Sequence, residues 1–152
     1  MTEEPEIFHR EVEIEFPYSS ATGPAISKFL TAFRDDKRIW GLKCPKCNQV
    51  VVPAQDYCDI CAEDMSEWVE VGQEGKIVTW TVVRRDHVLY PHKAPFAYAL
   101  IQLDGADRAL LHTVVAQDYT AIKEGTRVKA VWKEERTGHI RDLDYFALLE
   151  EA

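Results

Sequence analysis

Apolar residues recur along this chain with two different periods, and the change of period divides it. Between residues 24 and 36, Ile26, Phe29, Leu30 and Phe33 fall at spacings of three and four, which places them on one stripe of a helix. Gly23-Pro24 opens that helix, and Lys28 and Arg34 lie off its stripe. From residue 74 onward the period drops to two. The stretch Gly75–Val83 reads as a strand with Val78, Trp80 and Val82 on one face and Thr79 and Thr81 on the other. Phe96–Leu103 is a second strand, and Asp104-Gly105-Ala106-Asp107 supplies the turn residues of a hairpin into a third, Arg108–Val115. Arg127–Glu134 alternates Val128, Ala130 and Trp132 against Arg127, Lys129 and Lys133. Thr137-Gly138 then turns the chain into a fifth strand, Ile140–Leu149. A helical turn over Asp118–Ile122, capped by Asp118, is expected between the third and fourth strands. Five strands with that helix predict a closed OB barrel, because closure hides the edges that an open five-stranded sheet would expose.

Two stretches lie outside the helix and the five barrel strands. At the N-terminus Val12, Ile14 and Phe16 alternate with Glu11, Glu13 and Glu15. This is either a short strand added to a sheet edge or an arm ordered only by a partner. The connection Arg84–Pro95 is long for a hairpin and carries His87, Tyr90, His92 and Lys93, which read as a contact surface. The division expected is an arm and helix over 1–36, a metal ribbon over 37–70 and the barrel over 71–152.

The ribbon is expected from its cysteines. Cys44-Pro45-Lys46-Cys47 and Cys58-Asp59-Ile60-Cys61 are two CxxC pairs, with residues 48–57 between them. Two residues between thiolates let both sulfurs face one ion, so two such knuckles supply the four ligands of a tetrahedral site. Asn48 suits the left-handed turn that follows a knuckle, and Gln49–Pro53 reads as the strand between them. The reading is a rubredoxin-like zinc ribbon with one structural zinc on Cys44, Cys47, Cys58 and Cys61. A rubredoxin-like iron centre for electron transfer would use the same ligands. A closed four-thiolate site leaves no position for substrate or water.

Charge and composition narrow the function. The 152-residue chain has a formal net charge of −8, whereas nucleic-acid binding draws its affinity from Lys and Arg on phosphates. A single-stranded nucleic-acid-binding role, which OB barrels and ribbons both allow, is therefore disfavoured. No apolar run approaches the roughly 20 residues of a membrane span. The acidic start Met1-Thr2-Glu3-Glu4 lacks a signal-peptide core, so a cytoplasmic location is expected. There thiols stay reduced, which favours metal over disulfides. His87, His92 and His112 have no Ser, Cys or Asp at a spacing that would make a triad, so no catalytic residue is assigned.

The order of these features resembles the DUF35 family of zinc-ribbon and OB-fold proteins. A Phe-containing helix precedes CPxC and CxxC, then Glu67-Trp68, then Gly75-Lys76-Ile77, Pro95-Phe96-Ala97-Tyr98-Ala99 and Lys123-Glu124-Gly125-Thr126-Arg127-Val128. The likeness runs from about Ile26 to Leu148. It implies a non-catalytic partner of acyl-CoA enzymes: thiolases, thiolase-like aldolases acting on steroid side chains, or MaoC-like hydratases. A hetero-oligomer follows, α2β2 where the enzyme is a dimer. Under that resemblance Lys28, Phe33, Arg34, Lys37, Arg38 and Trp40 are the candidates for contact with CoA. Lys43 and Lys46 extend the same electropositive patch. The alternative for the charges is a solvated face paired with acids such as Asp35 and Asp36. The alternative for Phe33 and Trp40 is core packing. Many relatives carry Pro-Pro-Arg before the second CxxC, where this chain has Val52-Pro53-Ala54-Gln55. The missing arginine removes a natural partner for a CoA phosphate and favours a docking role.

Overall fold

The computed structural model describes residues 8–149. Helix α1, Gly23–Asp35, begins with Pro24 in its first turn, where a missing N–H costs nothing. It buries Ala25, Phe29, Ala32 and Phe33, a stripe shifted by one residue from the expected one; Ile26 and Leu30 lie at its margins, half-buried. Lys37, at φ 53°, then reverses the chain. Strand β1, Ile39–Lys43, lies at the centre of a three-stranded antiparallel sheet between β2, Val50–Val51, and β3, Glu67–Val71. Leu42 faces Val51 on one side and Trp68 on the other.

The remaining strands are β4, Glu74–Val83; β5, Phe96–Leu103; β6, Ala109–Val115; β7, Arg127–Trp132; and β8, Leu143–Leu148. They close into a barrel in the order β4-β5-β6-β8-β7, with β7 returning to β4. This is the five-stranded OB barrel expected from the alternation. At Gly75, β4 pairs with Leu103 of β5 and Val128 of β7 at once. A Cβ there would come within 2.5 Å of the Gln102 carbonyl oxygen, so a side chain would force the barrel seam apart. A bulge between Ile77 and Thr79 resets the alternation. Gly75 and Ile77 are therefore buried before it, Trp80 and Val82 are half-buried after it, and Val78 is exposed instead of sharing their face.

Two further expectations are corrected. Asp118–Ile122 is not helical: the backbone N–H and the hydroxyl of Thr120 both donate to Asp118 Oδ1, at 2.8 and 2.6 Å, and close a tight turn instead. The one short helical segment of the barrel is a 3-10 turn at Ile140–Asp142, between β7 and β8. Residues 8–21 form neither helix nor strand and are exposed, so Val12–Phe16 adds no strand to this chain's own sheets.

Helix, ribbon and barrel share one continuous core. Phe33 sits at its centre, fully buried, 4.5 Å from the Phe29 ring and 4.9 Å edge-on to Trp132 of β7. Polar bridges fix the same joint. Trp132 Nε1 donates to Gln73 Oε1 at 2.8 Å, and Gln73 Nε2 donates to the Lys37 carbonyl at 2.8 Å. Arg136 Nε donates to the Arg34 carbonyl at the helix end. On the ribbon's far side, Val50 N–H donates to Asp107 Oδ2 and Asp107 N–H returns a bond to the Val50 carbonyl.

Candidate functional site

The two CxxC segments fold into matched loops. Cys44 N–H donates to the Gln49 carbonyl at 2.9 Å, and Cys58 N–H donates to the Glu63 carbonyl at 2.8 Å. Asn48 N–H donates back to the Cys44 carbonyl, and Ala62 N–H to the Cys58 carbonyl. Asn48 and Ala62 occupy the same place in each loop and both are left-handed, at φ 60° and 54°. Asn48 was legible for that role. Ala62 carried no signal, because alanine rarely adopts that conformation.

These loops bring all four sulfurs within 4.8 Å of one another. Cys44 and Cys58 are buried, and Cys47 and Cys61 half-buried. None is in a disulfide, and Cys47 Sγ lies 3.8 Å from Cys58 Sγ. A tetrahedral ion with metal–sulfur bonds of about 2.3 Å has sulfurs about 3.8 Å apart, so the cluster is sized for one such ion. The thiols are unequal in the absence of a cation. The Cys47 N–H directed at Cys44 Sγ lowers that thiol to about 7, whereas burial pushes the Cys61 thiol up to about 12. A dication held by these residues would draw all four to the thiolate form.

The residues suggested for CoA contact are scattered in accessibility. Lys28 Nζ sits 4.2 Å over the Trp68 ring, binding the helix to β3. Arg34 forms a two-pronged pair with Asp35, at 2.7 and 3.0 Å. Arg38 reaches Glu70 at 3.3 Å, Lys43 reaches Glu67 at 3.6 Å and Lys46 reaches Glu63 at 3.4 Å. Among the described residues, Lys37 is the one cation of this patch without a carboxylate or ring partner. Trp40 is half-buried on β1. Phe33 is enclosed by Phe29 and Trp132 and offers no surface to a ligand in this chain.

The histidines do structural work. His92 Nε2 is 3.1 Å from Thr113 Oγ1 and 3.2 Å from the Asp144 carbonyl, tying the Arg84–Pro95 loop to the barrel. His112 stacks edge-on with Phe146, and burial holds its pKa below the ordinary histidine value.

Comparison with known proteins bears on all of this. A family profile described as the C-terminal OB-fold domain of ChsH2 matches residues 68–133. A DUF35 domain-containing scaffold protein of Pyrococcus furiosus is 29% identical over 124 residues, 82% of this chain and 86% of the relative. A scaffold protein of the same description from Methanocaldococcus jannaschii is 26% identical over 94 residues, 61% of this chain and 66% of the relative. Among solved structures, a DUF35 protein of unknown function from Sulfolobus solfataricus shares the fold with a TM-score of 0.61 at 23% identity, over 84% of this chain and 85% of its own. The Ltp2-ChsH2(DUF35) aldolase shares it with a TM-score of 0.62 at 19% identity, over 86% of this chain and 97% of the matched one. Helix, paired knuckles and closed barrel agree with these likenesses in order and in kind, and the chain is similar to DUF35 proteins over most of its length.

Proposed function

We propose that this chain is a non-catalytic scaffold subunit that docks on a thiolase or thiolase-like aldolase acting on acyl-CoA, with one structural zinc held by Cys44, Cys47, Cys58 and Cys61. The observation that carries the reading is the helix–ribbon–barrel fold shared with the DUF35-containing aldolase, taken with the scaffold description of the two relatives. The site supports it chemically. Four thiolates complete a tetrahedral shell, so the metal cross-links two loops and has no position left for substrate. Its effect passes through Val50, which follows the first knuckle and bonds to Asp107 of the barrel.

The charge pairs indicate docking more than direct CoA binding. A CoA phosphate approaching the helix face would have to compete with Asp35 for Arg34 and with Glu70 for Arg38. Lys37 and the half-buried Trp40 remain the candidates for any contact with CoA. In this proposal the acyl group is one such as the steroid side-chain thioester that the family resemblance implies, the assembly is an α2β2 complex in the cytoplasm, and a MaoC-like hydratase is a further partner of the same chemistry. Within the chain the division of labour is an arm and helix over 1–36, the ribbon over 37–70 and the barrel over 71–152.

The test is co-expression with a thiolase-like aldolase from the same genome. The isolated chain is expected to turn over no acyl-CoA and the co-purified pair to be active. The double variant Lys37→Ala/Arg38→Ala is expected to leave complex formation intact. Robust turnover by the isolated chain, or full aldolase activity and stability without it, would overturn the proposal.

A further inference from the structure

Val88 and Leu89 stand 92% and 74% exposed at the tip of the Arg84–Pro95 loop. Tyr90 N–H donates to the His87 carbonyl at 3.1 Å, which makes His87–Tyr90 a β-turn with Val88 and Leu89 at its two central positions. Those positions ordinarily go to Gly, Pro, Asn, Asp or Ser. A valine–leucine pair there serves neither the turn nor this chain's core. A local rule broken without gain to the fold is the mark of side chains kept for another purpose.

The turn is held stiffly from below. Asp86 Oδ1 accepts the Ala94 N–H at 2.6 Å across the base of the loop, and Tyr119 Oη donates to the Pro95 carbonyl at 2.8 Å. His92 Nε2 lies 3.1 Å from Thr113 Oγ1 of β6. The Tyr90 ring rests edge-on against buried Phe96, with centroids 5.7 Å apart. The tip is thus presented in one shape before anything binds, which lowers the ordering cost of association.

The face continues beside the tip. Pro91 lines both the hollow under the loop and a neighbouring cavity of about 210 Å³ walled by Tyr98, Leu111, His112 and Ile140, where Leu111 is 61% exposed. That cavity is smaller than the usual small-molecule site of about 300–1,000 Å³ and fits one or two protein side chains. The lining of the two hollows, with Arg84 and Arg85 leading into them, supplies five Lys and Arg against two carboxylates, in a chain whose totals are 18 against 26. Lys133 and Asp144 pair with each other at 3.8 Å. Arg84, Arg85, Lys93 and Arg141 are in no ion pair among the described residues. An apolar centre inside a charged rim is the anatomy of a protein-binding surface.

The geometry points to this turn as the anchor by which the chain docks: Val88 and Leu89 enter an apolar pocket of a protein partner, and carboxylates around that pocket meet Arg84, Arg85, Lys93 and Arg141. A partner side chain fills the cavity between Tyr98, Leu111 and Ile140 in return. That the partner is the thiolase-type enzyme rests on the scaffold reading above. An oligonucleotide or an anionic membrane fits this face less well. The tip is aliphatic and gives bases no ring to stack on, and the chain's net charge of −8 opposes approach to either polyanion.

The test is the affinity of the full, metal-loaded chain for the aldolase from the same genome, measured over a range of salt. Val88→Asp/Leu89→Asp should raise the dissociation constant about thirtyfold or more. Lys93→Glu/Arg141→Glu should slow association about tenfold and flatten its salt dependence. All four residues are exposed, so both variants should keep the thermal midpoint and metal content of the unaltered chain. A complex indifferent to both variants overturns the anchor and leaves the scaffold reading standing. No complex with the unaltered chain removes the scaffold reading and the anchor together. Binding to a dT oligonucleotide or phosphatidylserine vesicles, or dimerisation of the chain, that is lost with Val88→Asp/Leu89→Asp while aldolase affinity holds also overturns the inference.

Discussion

The ribbon and the barrel are stabilised by different means. The barrel closes on itself: Ile77, Ile101, Leu103, Val114, Val128, Leu143 and Phe146 are all buried, and its strands leave little unpaired edge. The ribbon has three short strands, one of only two residues, and two loops that end in left-handed turns. The ribbon's apolar residues join the common core, and its four gathered thiols could hold a metal that would staple the two loops. The difference separates two jobs: the barrel supplies surface, and the joint of Phe33, Trp132, Gln73 and Arg136, with the Val50–Asp107 bonds, fixes where α1 and the ribbon stand upon it.

The largest predicted effect breaks that contrast directly. Chelation, or Cys44→Ser with Cys58→Ser, should unfold the ribbon, since metal binding in small ribbons is worth about 10–16 kcal/mol. Amide spectra should lose the signals of residues 39–71 and keep those of β4–β8. Simultaneous loss of both would show that the barrel depends on the ribbon. Phe33→Ala acts at the joint, where the ring fills the space between Phe29 and Trp132. It should cost about 3–5 kcal/mol, read by denaturant melts, and loosen the helix from both neighbours.

Asp142 sharpens the comparison from the barrel side. Burial alone would raise its carboxyl, but the N–H groups of Thr137, His139 and Gly138 hold it below the ordinary value of 3.8. A carboxyl depressed in the folded state stabilises above its unfolded pKa, and that contribution is lost as pH falls through the folded one. Asp142→Asn should therefore cost about 1.5–3 kcal/mol at pH 7. The gap from wild type should narrow as pH falls below about 4, and a gap independent of pH would refute the assignment. The smallest effect belongs to Ala62, whose φ of 54° disfavours any side chain. Ala62→Gly should raise the metal-loaded protein's stability by about 1 kcal/mol, measured as an upward shift of the melting midpoint.

The two regions were also legible in different ways. The ribbon announced itself through chemistry, since thiol spacing fixes ligand geometry almost regardless of the intervening residues. The left-handed turn at Ala62 and the strand at Ile39–Lys43, hidden in a run that also served the helix exit, were not visible. The barrel announced itself through period alone. That signal located all five strands but failed at the bulge after Ile77, which adds a residue and so moves Val78 off its expected face. It failed again at Asp118, where an Asp cap and an Asp-initiated turn read alike. The joint was the least legible part. Gln73, Asp107 and Arg136 join segments far apart in the chain, and no local pattern marks a side chain for a distant backbone atom.

X-ray absorption at the metal edge of the purified protein, after elemental analysis identifies the ion, tests the central claim most directly. A closed clamp predicts zinc with four sulfur neighbours near 2.3 Å and no oxygen or nitrogen in the inner shell. Iron at the site, or three sulfurs with a water or other light ligand in the fourth position, would contradict it and reopen the search for chemistry at the ribbon.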